Sequence, residues 1–314
     1  MDSPQRGRFA PSPTGRMQLG NVWAAMLSRT SVKSGGGVWV LRHEDLDAQR
    51  SRTEFAKWIE DDLQWLGLTW DEGGLEEKGA CGPYRQSLCA PLYGAALKHL
   101  HQQGLLYPCR CRRADLLAAS APHASDGRPV YSGKCRPADM PRQIELPPGV
   151  AVRLLVSHTQ VQFEDLIFGR QQFDLAAECG DFIVRRADGA FAYQLAVVVD
   201  DARMGITEVV RGCDLIPSAA QQIYLYNLLH KPVPRFGHLP LLVNSAGQRL
   251  SKRDASLSME VLRQRCRPEQ ILGYLAHLAG LLPKEEPIDA CSLLEVYDAD
   301  KLPRTPAITV RTFD

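Results

Sequence analysis

Long hydrophobic runs are absent from this sequence. No stretch approaches the roughly 18 consecutive apolar residues that a membrane-spanning helix requires. The first 15 residues, MDSPQRGRFAPSPTG, also lack the apolar core of a secretory signal. We therefore expect a cytoplasmic protein without a membrane span.

An excess of charge is absent as well. Lys and Arg number 37 and Asp and Glu number 36, so the formal net charge is +1. This balance excludes a general cationic coat for nucleic acids, although a local basic patch is compatible with it. Hydrophobic residues make up 45% of the 314 residues, which is enough for a sizeable core in one large domain or two medium ones.

The cysteine density of a disulfide scaffold is absent, since the chain has nine cysteines, an odd number, among 314 residues. The thiols of a cytoplasmic protein are normally reduced. Cysteines that cluster in the sequence are therefore candidate metal ligands.

The pattern of apolar residues predicts an α/β protein with a parallel sheet. Strand-like runs alternate with segments in which apolar residues recur at helical spacing. Predicted strands cover residues 7–10, 38–42, 181–186 and 239–244, and predicted helices cover residues 21–32, 55–66, 92–105, 216–230 and 271–282. Asp188 and Gly189 lie between two β-prone runs, 181–186 and 190–199, and predict a β-hairpin.

Composition divides the chain into four segments. Residues 1–108 carry the first half of the α/β pattern, residues 109–178 are irregular and rich in Arg, Pro and Cys, and residues 179–256 resume the α/β pattern. We therefore expect the second segment to be an insertion between two halves of one α/β unit. Residues 257–314 form a short tail with one more apolar helix.

The first candidate motif is RFAPSPTGRMQLGN at residues 8–21. It leads from a predicted strand through a loop rich in Pro and Gly into the N-terminus of a predicted helix. Backbone N–H groups and the helix dipole at such a point favour a bound anion. An ordinary connection between a strand and a helix would have a similar composition, so this motif alone does not decide.

A second candidate motif follows a predicted strand and a turn, and it comprises Arg249, Leu250, Ser251, Lys252 and Arg253. A flexible loop with closely spaced Arg and Lys can fold over a triphosphate, where lysine acts as a movable point charge. By itself, a basic loop is more often a solvated surface.

The insertion carries a third motif, with Cys109, Cys111, Tyr131 and Cys135. Three thiols and a phenol could converge there on a tetrahedral Zn²⁺, and four ligands would close a structural site. The usual spacing is C-x₂₋₄-C, so C-x-C is only moderately specific, and buried free thiols beside a surface tyrosine are the alternative. A basic patch in the same segment could contact tRNA phosphates or be a solvated face, and it comprises Arg110, Arg112, Arg113, Arg136 and Arg142.

Together, these motifs resemble the signature sequences of class I aminoacyl-tRNA synthetases. The similarity to the glutamyl branch rests on RFAPSPTG and on six further segments in the same order: RHEDLD at 42–47, GPYRQS at 82–87, DFIVRR at 181–186, YQLA at 193–196, VVRGCDL at 209–215 and RLSKR at 249–253. The resemblance implies a Rossmann-type catalytic domain in two halves, 1–108 and 179–256, the second with a KMSKS-like loop. It further implies a zinc-binding, acceptor-type insertion at 109–178 and a short helical, stem-contact-like tail at 257–314.

A short core with a Cys-rich insertion resembles the glutamyl-Q tRNA(Asp) synthetase family. Only 61 residues follow Arg253, whereas the helical anticodon-binding region of a glutamyl-tRNA synthetase would need about 100 or more. The resemblance implies ATP-dependent activation of L-glutamate to glutamyl-adenylate, and transfer of glutamate to the queuosine base in the anticodon loop of tRNA(Asp). It also implies one structural Zn²⁺ and Mg²⁺ bound with ATP, and we expect a monomer.

Two alternatives stay open. The protein could activate glutamate for another acceptor, such as tRNA(Glu) or a non-tRNA amine. It could also be a non-catalytic tRNA-binding protein that has kept the fold.

The resemblance assigns roles to residues by motif position. The implied glutamate-binding residues are Arg8, Phe9, Ala10, Pro11, Ser12, Glu44, Tyr193 and Arg211. The implied ATP-binding residues are Pro11, Thr14, Gln18, Gly20, Asn21 and Lys252, of which Gln18 and Lys252 are also the implied catalytic residues. Arginine can hold a carboxylate in a bidentate pair and Glu44 can receive the ammonium group. The alternative is an internal Arg8–Glu44 salt bridge without a ligand.

Gln18 departs from the family pattern, which usually has histidine at this position. A glutamine amide can donate a hydrogen bond to a phosphate, but it cannot carry a positive charge. Slower activation, or a degenerate ATP site, would follow.

Overall fold

The computed structural model describes residues 4–111, 130–140, 144–157, 160–250 and 255–313. A seven-stranded sheet in the order β3-β2-β1-β9-β10-β6-β7 forms its centre. The five pairs from β3 to β6 are parallel, and β6 and β7 form an antiparallel hairpin at one edge. The strands are β1 (Arg6–Phe9), β2 (Val38–Leu41), β3 (Glu72–Gly73), β6 (Gln160–Asp165), β7 (Gly169–Asp174), β9 (Glu208–Gly212) and β10 (Arg235–Leu239). The predicted α/β class with a parallel sheet is confirmed.

Two smaller sheets accompany the main one. An antiparallel sheet has the order β4-β5-β8, and a parallel pair is formed by β11 and β12. Their strands are β4 (Leu106–Cys109), β5 (Ala151–Leu154), β8 (Phe182–Arg185), β11 (Leu241–Val243) and β12 (Ala307–Thr309). The β6–β7 hairpin belongs in sequence to the predicted insertion, yet it extends the main sheet through the pairing of Asp165 with Phe236.

Helices cover both faces of the main sheet. The α-helices of the described residues are α1 (Leu19–Lys33), α2 (Thr53–Trp65), α3 (Ala90–Gln102), α4 (Leu175–Glu178), α5 (Tyr193–Arg203), α6 (Ile216–Leu228), α7 (Met259–Arg265), α8 (Pro268–Leu278) and α9 (Ser292–Glu295). The five helices predicted from apolar spacing correspond to α1, α2, α3, α6 and α8, with ends that differ by a few residues. No helix in the described ranges is both long enough and apolar enough to cross a membrane.

The hydrophobic core forms two clusters, one on each face of the main sheet, because side chains along a strand point alternately to the two faces. In β2, Trp39 and Leu41 pack with α1, α2 and α8 on one face, while Val40 packs with α5 and α6 on the other. Because successive strand residues point to opposite faces, each central strand contributes to both clusters. In the described residues, the sheet is thus buried on both faces.

The predicted hairpin around Asp188 and Gly189 forms only at its turn, and the predicted second strand, 190–199, is wrong. After the turn, a single antiparallel bridge joins Arg185 to Phe191, and the chain then enters helix α5. Valines suggested a strand, but Leu195 and Val198 lie three residues apart and are fully buried against α6 in the same core cluster. Tertiary packing has overridden the β propensity of this segment.

The predicted strand at 239–244 is divided in two. Pro240 lies between β10 and β11, and it has no N–H to donate to a sheet. As a result, β10 pairs with β9, whereas β11 pairs with β12 near the end of the chain.

Candidate active site

The predicted substrate residues meet at the carboxyl edge of the parallel sheet. Strands β1, β2 and β9 lie side by side and end at Phe9, Leu41 and Gly212. In open α/β sheets, ligands bind in the crevice outside the carboxyl ends of the strands. The loops that leave β1 and β2 are joined there, because Phe9 accepts from the N–H of Arg42 at 3.0 Å and Pro11 accepts from Glu44 at 3.0 Å.

A buried charge cluster lies beneath this edge. Arg8 Nε is 3.3 Å from Asp201 Oδ2, and Arg42 donates to Asp201 at 2.5 Å and to Glu44 at 3.1 Å. Burial favours a neutral Asp201, but the two arginines outweigh it and lower the pKa of this carboxyl. The Arg8–Glu44 pair that was the ligand-free alternative is therefore replaced by Arg8–Asp201 and Arg42–Glu44.

Sequence reasoning assigned no role to Arg42, Asp200 or Asp201. Asp200 accepts from the hydroxyl of Tyr93 at 2.7 Å and from Gln86 at 3.0 Å, and it is fully buried. The sequence signal for the two aspartates is their adjacency directly after the apolar run 190–199, but a β-prone run does not indicate that they are buried beside arginines.

Arg211 is a buried cation with neutral partners. Its guanidinium donates to Gln222 Oε1 at 2.9 Å, to His238 Nε2 at 3.2 Å and to the carbonyl oxygen of Leu215 at 3.3 Å. The residue is 6% exposed, and within the described part of the chain no carboxylate lies within 4.0 Å of it. Burial lowers the pKa of Arg211, so this charge would be stabilised by a bound anion.

Glu44 and Tyr193 complete the polar lining. The side chain of Glu44 is 10% exposed, and burial raises the pKa of its carboxyl above the ordinary 4.5. The Tyr193 hydroxyl lies 3.5 Å from Arg211, although the residue as a whole is 37% exposed. Burial raises the pKa of Tyr193 as well, and its hydroxyl interacts electrostatically with Arg211, Glu44 and Arg8. The structure thus brings together all four predicted side chains that could bind an amino acid.

Phe9 differs from the other predicted glutamate residues because its side chain belongs to the core. It is 7% exposed and stacks on Trp39 with ring centroids 6.2 Å apart. Only its backbone is available at the edge of the sheet, where Ala10, Pro11 and Ser12 continue the chain.

The first motif lines two neighbouring cavities. One has a volume of about 180 Å³, and its lining includes Pro11, Ser12, Thr14, Gln18, Asn21 and Leu250. The other has a volume of about 170 Å³, and its lining includes Gln18, Gly20, Asn21, Arg249 and Leu250. The two cavities share Gln18, Asn21 and Leu250 in their linings. The first and second motifs therefore enclose one continuous crevice at the N-terminus of α1. That is where the dipole of a helix attracts an anion.

Gln18 is anchored through its backbone. It donates its N–H to Asn21 Oδ1 at 2.9 Å, and it forms an antiparallel bridge with Ser258 just before α7. Its side-chain Oε1 is buried, and no donor among the described residues reaches it. The side chain therefore has unused hydrogen-bonding capacity beside both cavities.

The second motif is described only in part. Val243 and Arg249 form an antiparallel bridge around the turn at 244–248, as expected for a loop that follows a strand. Arg249 pairs with Asp214. The predicted residues Ser251, Lys252 and Arg253 lie outside the described residues.

The three predicted cysteine ligands converge. The sulfur atoms of Cys109, Cys111 and Cys135 all lie within 4.8 Å of one another, and those of Cys111 and Cys135 are 3.5 Å apart. The Tyr131 hydroxyl lies 3.7 Å from the sulfur of Cys109. Thiolates bound to one tetrahedral zinc at about 2.3 Å would be about 3.8 Å apart, so this cluster could hold a metal ion.

The charge environment favours a thiolate at Cys109, whereas burial and the neighbouring thiols raise the pKa of Cys111 to about 11. Burial opposes ionisation of Cys109, but hydrogen bonds from Arg153 and from the backbone of Cys111 lower the pKa of its thiol to about 7. Arg153 lies 3.2 Å from this sulfur and also stacks on the ring of Tyr131, 3.6 Å from its centroid. A thiolate is the form of cysteine that binds metals.

The predicted basic patch is described only in part, and Arg110 is exposed. Arg136 is engaged with the buried carboxylate of Asp181, which also accepts from Tyr107. Arg112, Arg113 and Arg142 lie outside the described residues.

Comparison with known proteins agrees with this geometry. The family model "tRNA synthetases class I (E and Q), catalytic domain" matches residues 5–303. The chain is 46% identical over 307 residues to the glutamyl-Q tRNA(Asp) synthetase of Symbiobacterium thermophilum, covering 96% of this chain and 94% of that protein. It is 38% identical over 307 residues to glutamate–tRNA ligase 2 of Nitrosococcus oceani, covering 96% of this chain and 64% of the ligase.

A solved structure has the same fold. A glutamate tRNA ligase from Elizabethkingia meningosepticum, crystallised in complex with its amino acid, superposes with a TM-score of 0.81 at 24% identity. The match covers 99% of this chain and 68% of the ligase.

Proposed function

The chain belongs to the class I aminoacyl-tRNA synthetases of the glutamate and glutamine branch, and from this premise we propose that it is a ligase that transfers L-glutamate to the queuosine base of tRNA(Asp). ATP activates the amino acid, and the acceptor is a hydroxyl of the queuosine cyclopentene ring in the anticodon loop. The near full-length similarity to a glutamyl-Q tRNA(Asp) synthetase supports this choice of acceptor.

The proposal rests mainly on one observation: Arg211 is a buried cation, and all of its hydrogen-bond partners are neutral. Glutamate brings two carboxylates and one ammonium group. Arg211 and Arg8 offer cations for the carboxylates, Glu44 offers an anion for the ammonium group, and Tyr193 offers a hydroxyl. Arg8 already forms an ion pair with Asp201, so a substrate carboxylate would stabilise the charge of Arg211 more than that of Arg8.

The first chemical step forms glutamyl-adenylate. The α-carboxylate of glutamate attacks the α-phosphorus of ATP, the bond from that phosphorus to the bridging oxygen breaks, and pyrophosphate leaves. In our proposal the first motif and the N-terminus of α1 receive the phosphates, and Gln18 and Lys252 contact them. Positioning and charge stabilisation dominate such reactions, and Mg²⁺ accompanies ATP as its counter-ion.

The second step moves glutamate to the acceptor. The queuosine hydroxyl attacks the carbonyl carbon of the mixed anhydride, an ester bond forms, and AMP leaves with the electrons of the broken acyl–oxygen bond. The hydroxyl proton passes to solvent or to the departing phosphate.

In our proposal the metal of the cysteine cluster is a structural Zn²⁺. Cys109, Cys111 and Cys135 would supply three thiolates and Tyr131 the fourth ligand, and a closed site of this kind stabilises the fold. The cluster links β4, at Cys109, with the segment around Cys135, so it would brace the insertion rather than take part in the reaction.

A direct test measures glutamate-dependent exchange of labelled pyrophosphate into ATP. We expect exchange with L-glutamate and none with L-aspartate, and a rise in melting temperature with glutamate alone, because a ligand that binds only the native state stabilises it. Arg211→Gln should lower kcat/KM for glutamate roughly 10- to 100-fold, since a hydrogen bond to a charged group contributes about 1.5–3 kcal/mol. Exchange that is independent of glutamate would overturn the proposal.

Glutamate activation for tRNA(Glu) is the second candidate, and the similarity to a glutamate–tRNA ligase 2 is the observation in its favour. The two candidates share the first step and differ only in the acceptor. Transfer of labelled glutamate to tRNA(Glu), but not to queuosine-containing tRNA(Asp), would establish the second in place of the first.

A further inference from the structure

A buried chain of hydrogen bonds crosses three neighbouring strands of the main sheet. Asp165 on β6 lies 2.5 Å from Nδ1 of His238 on β10, and Nε2 of His238 lies 3.2 Å from Nε of Arg211 on β9. Asp165 is 2% exposed and His238 is fully buried. The register of the sheet places His238 directly opposite Arg211.

The chemistry of Arg211 fixes the protons along this chain. Nε of arginine always carries a hydrogen, so Nε2 of His238 must accept. The proton of the neutral ring is therefore on Nδ1, from which it is donated to Asp165. Burial lowers the pKa of His238, and the hydrogen bond to Asp165 does not offset it, which favours the neutral ring.

Asp165 is itself held rigidly. Its Oδ1 accepts from the backbone N–H groups of Ile167 at 3.0 Å, Phe168 at 2.9 Å and His238 at 3.2 Å. Burial opposes ionisation, but the hydrogen bonds from His238 and from the backbone outweigh it and lower the pKa of Asp165. A fixed carboxylate thus orients a fixed imidazole.

The imidazole separates the negative charge from the cation. A carboxylate in direct contact with Arg211 would neutralise it and repel the carboxylate of a substrate. His238 instead accepts a hydrogen bond from one N–H of the guanidinium, and because the imidazole is neutral, the positive charge of Arg211 is not paired with an anion. Gln222 and Leu215 occupy two more N–H groups, so two of the five donors of Arg211 remain, one of them 3.5 Å from Tyr193.

We propose that His238, oriented by Asp165, is a positioning residue that holds Arg211 in the geometry required to bind a carboxylate of the amino-acid substrate. The inference rests on the proposed function, because it takes the substrate of Arg211 to be glutamate. It adds two buried residues that the sequence motifs do not include.

Three substitutions test the inference in the pyrophosphate exchange assay. His238→Ala removes the acceptor for Arg211. In Asp165→Asn, Oδ1 can still accept the three backbone hydrogen bonds, but its NH₂ faces Nδ1 of His238 and favours the tautomer that turns an N–H toward Arg211. His238→Gln offers an amide N–H to Asp165 and a carbonyl oxygen to Arg211, so it can replace the imidazole.

We expect His238→Ala and Asp165→Asn to raise KM for glutamate roughly 10-fold or more, because a hydrogen bond to a charged group contributes about 1.5–3 kcal/mol. KM for ATP should stay within about twofold of the wild-type value, and His238→Gln should recover most of the affinity for glutamate. His99→Gln, the same substitution at an exposed position of α3, is the matched control and should change neither constant.

Two results would overturn the inference while leaving the proposed function intact. One is a wild-type KM for glutamate in a folded His238→Ala or Asp165→Asn protein. The other is an equal rise of both KM values in all three variants, accompanied by equal losses of melting temperature, which a purely structural role would produce. A wild-type protein that shows no glutamate-dependent exchange would overturn both the proposed function and this inference.

Discussion

Asp62 accepts a hydrogen bond from Arg16 at 2.7 Å with a carboxylate that is fully buried. The same oxygen accepts from Arg263 on α7 at 2.9 Å. Arg16 belongs to the loop of the first motif, and α7 follows the second motif in the chain. The backbones are joined nearby as well, because Met259 donates to the carbonyl oxygen of Met17 at 2.9 Å. Asp62 on α2 thus connects the flanks of the two segments that we propose bind ATP.

Asp62→Asn should therefore weaken ATP binding. Burial raises the pKa of Asp62, yet at neutral pH its charge is stabilised by two arginines, and the amide removes that charge. We expect KM for ATP in the exchange assay to rise roughly 10-fold, the equivalent of about 1.4 kcal/mol. The rise in melting temperature that glutamate causes should be unchanged.

Asp61→Asn is the matched control for this substitution. Asp61 also contacts Arg263, but its side chain is 59% exposed, and exposed ion pairs contribute about 0–1 kcal/mol. Equal effects of the two substitutions, or a normal KM for ATP in Asp62→Asn, would show that the connection has no part in nucleotide binding.

Gln18→His should raise the rate of adenylate formation. The side chain lies beside both cavities of the first motif, and a protonated imidazole would add a positive charge where the triphosphate is proposed to bind. We expect kcat for pyrophosphate exchange to rise several-fold, with little change in KM for glutamate. Gln172→His, on the exposed side of β7, is the control, and an unchanged or lower rate in Gln18→His would remove phosphate contact as the limiting factor.

Glu44→Gln should stabilise the empty protein while it abolishes glutamate binding. Burial raises the pKa of Glu44 above 4.5, so its ionised form is disfavoured in the folded state relative to the unfolded state. The contribution of Glu44 to stability is therefore present below pH 4.5 and is lost as the pH rises through the folded-state pKa.

Thermal unfolding between pH 4 and pH 8 measures this effect. The melting temperature of Glu44→Gln should match the wild type at the acidic end and exceed it at the neutral end, and glutamate should no longer raise it. A variant that is less stable than the wild type at neutral pH would show that the ion pair with Arg42 and the nearby charge of Arg8 outweigh the cost of burial.

Metal removal should destabilise the insertion. Purified protein should contain one equivalent of zinc per chain, and a chelator should lower both the zinc content and the melting temperature. Cys135→Ser should have the same two effects, whereas Cys291→Ser, at an exposed thiol far along the chain, should have neither. Full stability of Cys135→Ser without bound metal would contradict a structural zinc site.

The sequence predicted most of the fold because its main signals are local. Helical spacing identified α1, α2, α3, α6 and α8, and β-branched runs identified β2 and β8. Helix α5 was missed because three consecutive valines favour a strand locally, and only the packing of Leu195 and Val198 against α6 makes the segment helical. The division of the chain at residues 108, 178 and 256 remains a prediction.

Residues of the candidate site could be predicted when they belong to a motif, as Arg8, Glu44 and Arg211 do. Asp201 and Asp165 could not, because their partners are set by the fold: Asp201 contacts Arg8 from 193 residues away, and Asp165 contacts His238 from 73 residues away. Asp165 meets His238 because β6 lies beside β10 in the sheet, whereas Asp201 lies on helix α5 and meets Arg8 of β1 through tertiary packing. Neither arrangement is contained in a local pattern.

The most direct test of the account supplies ATP, Mg²⁺ and labelled L-glutamate with tRNA(Asp) prepared with and without queuosine, and with tRNA(Glu). We predict label only on queuosine-containing tRNA(Asp), bound through an ester that is cleaved by mild base. Label on tRNA(Glu) alone, or no label on any tRNA, would contradict the proposed function.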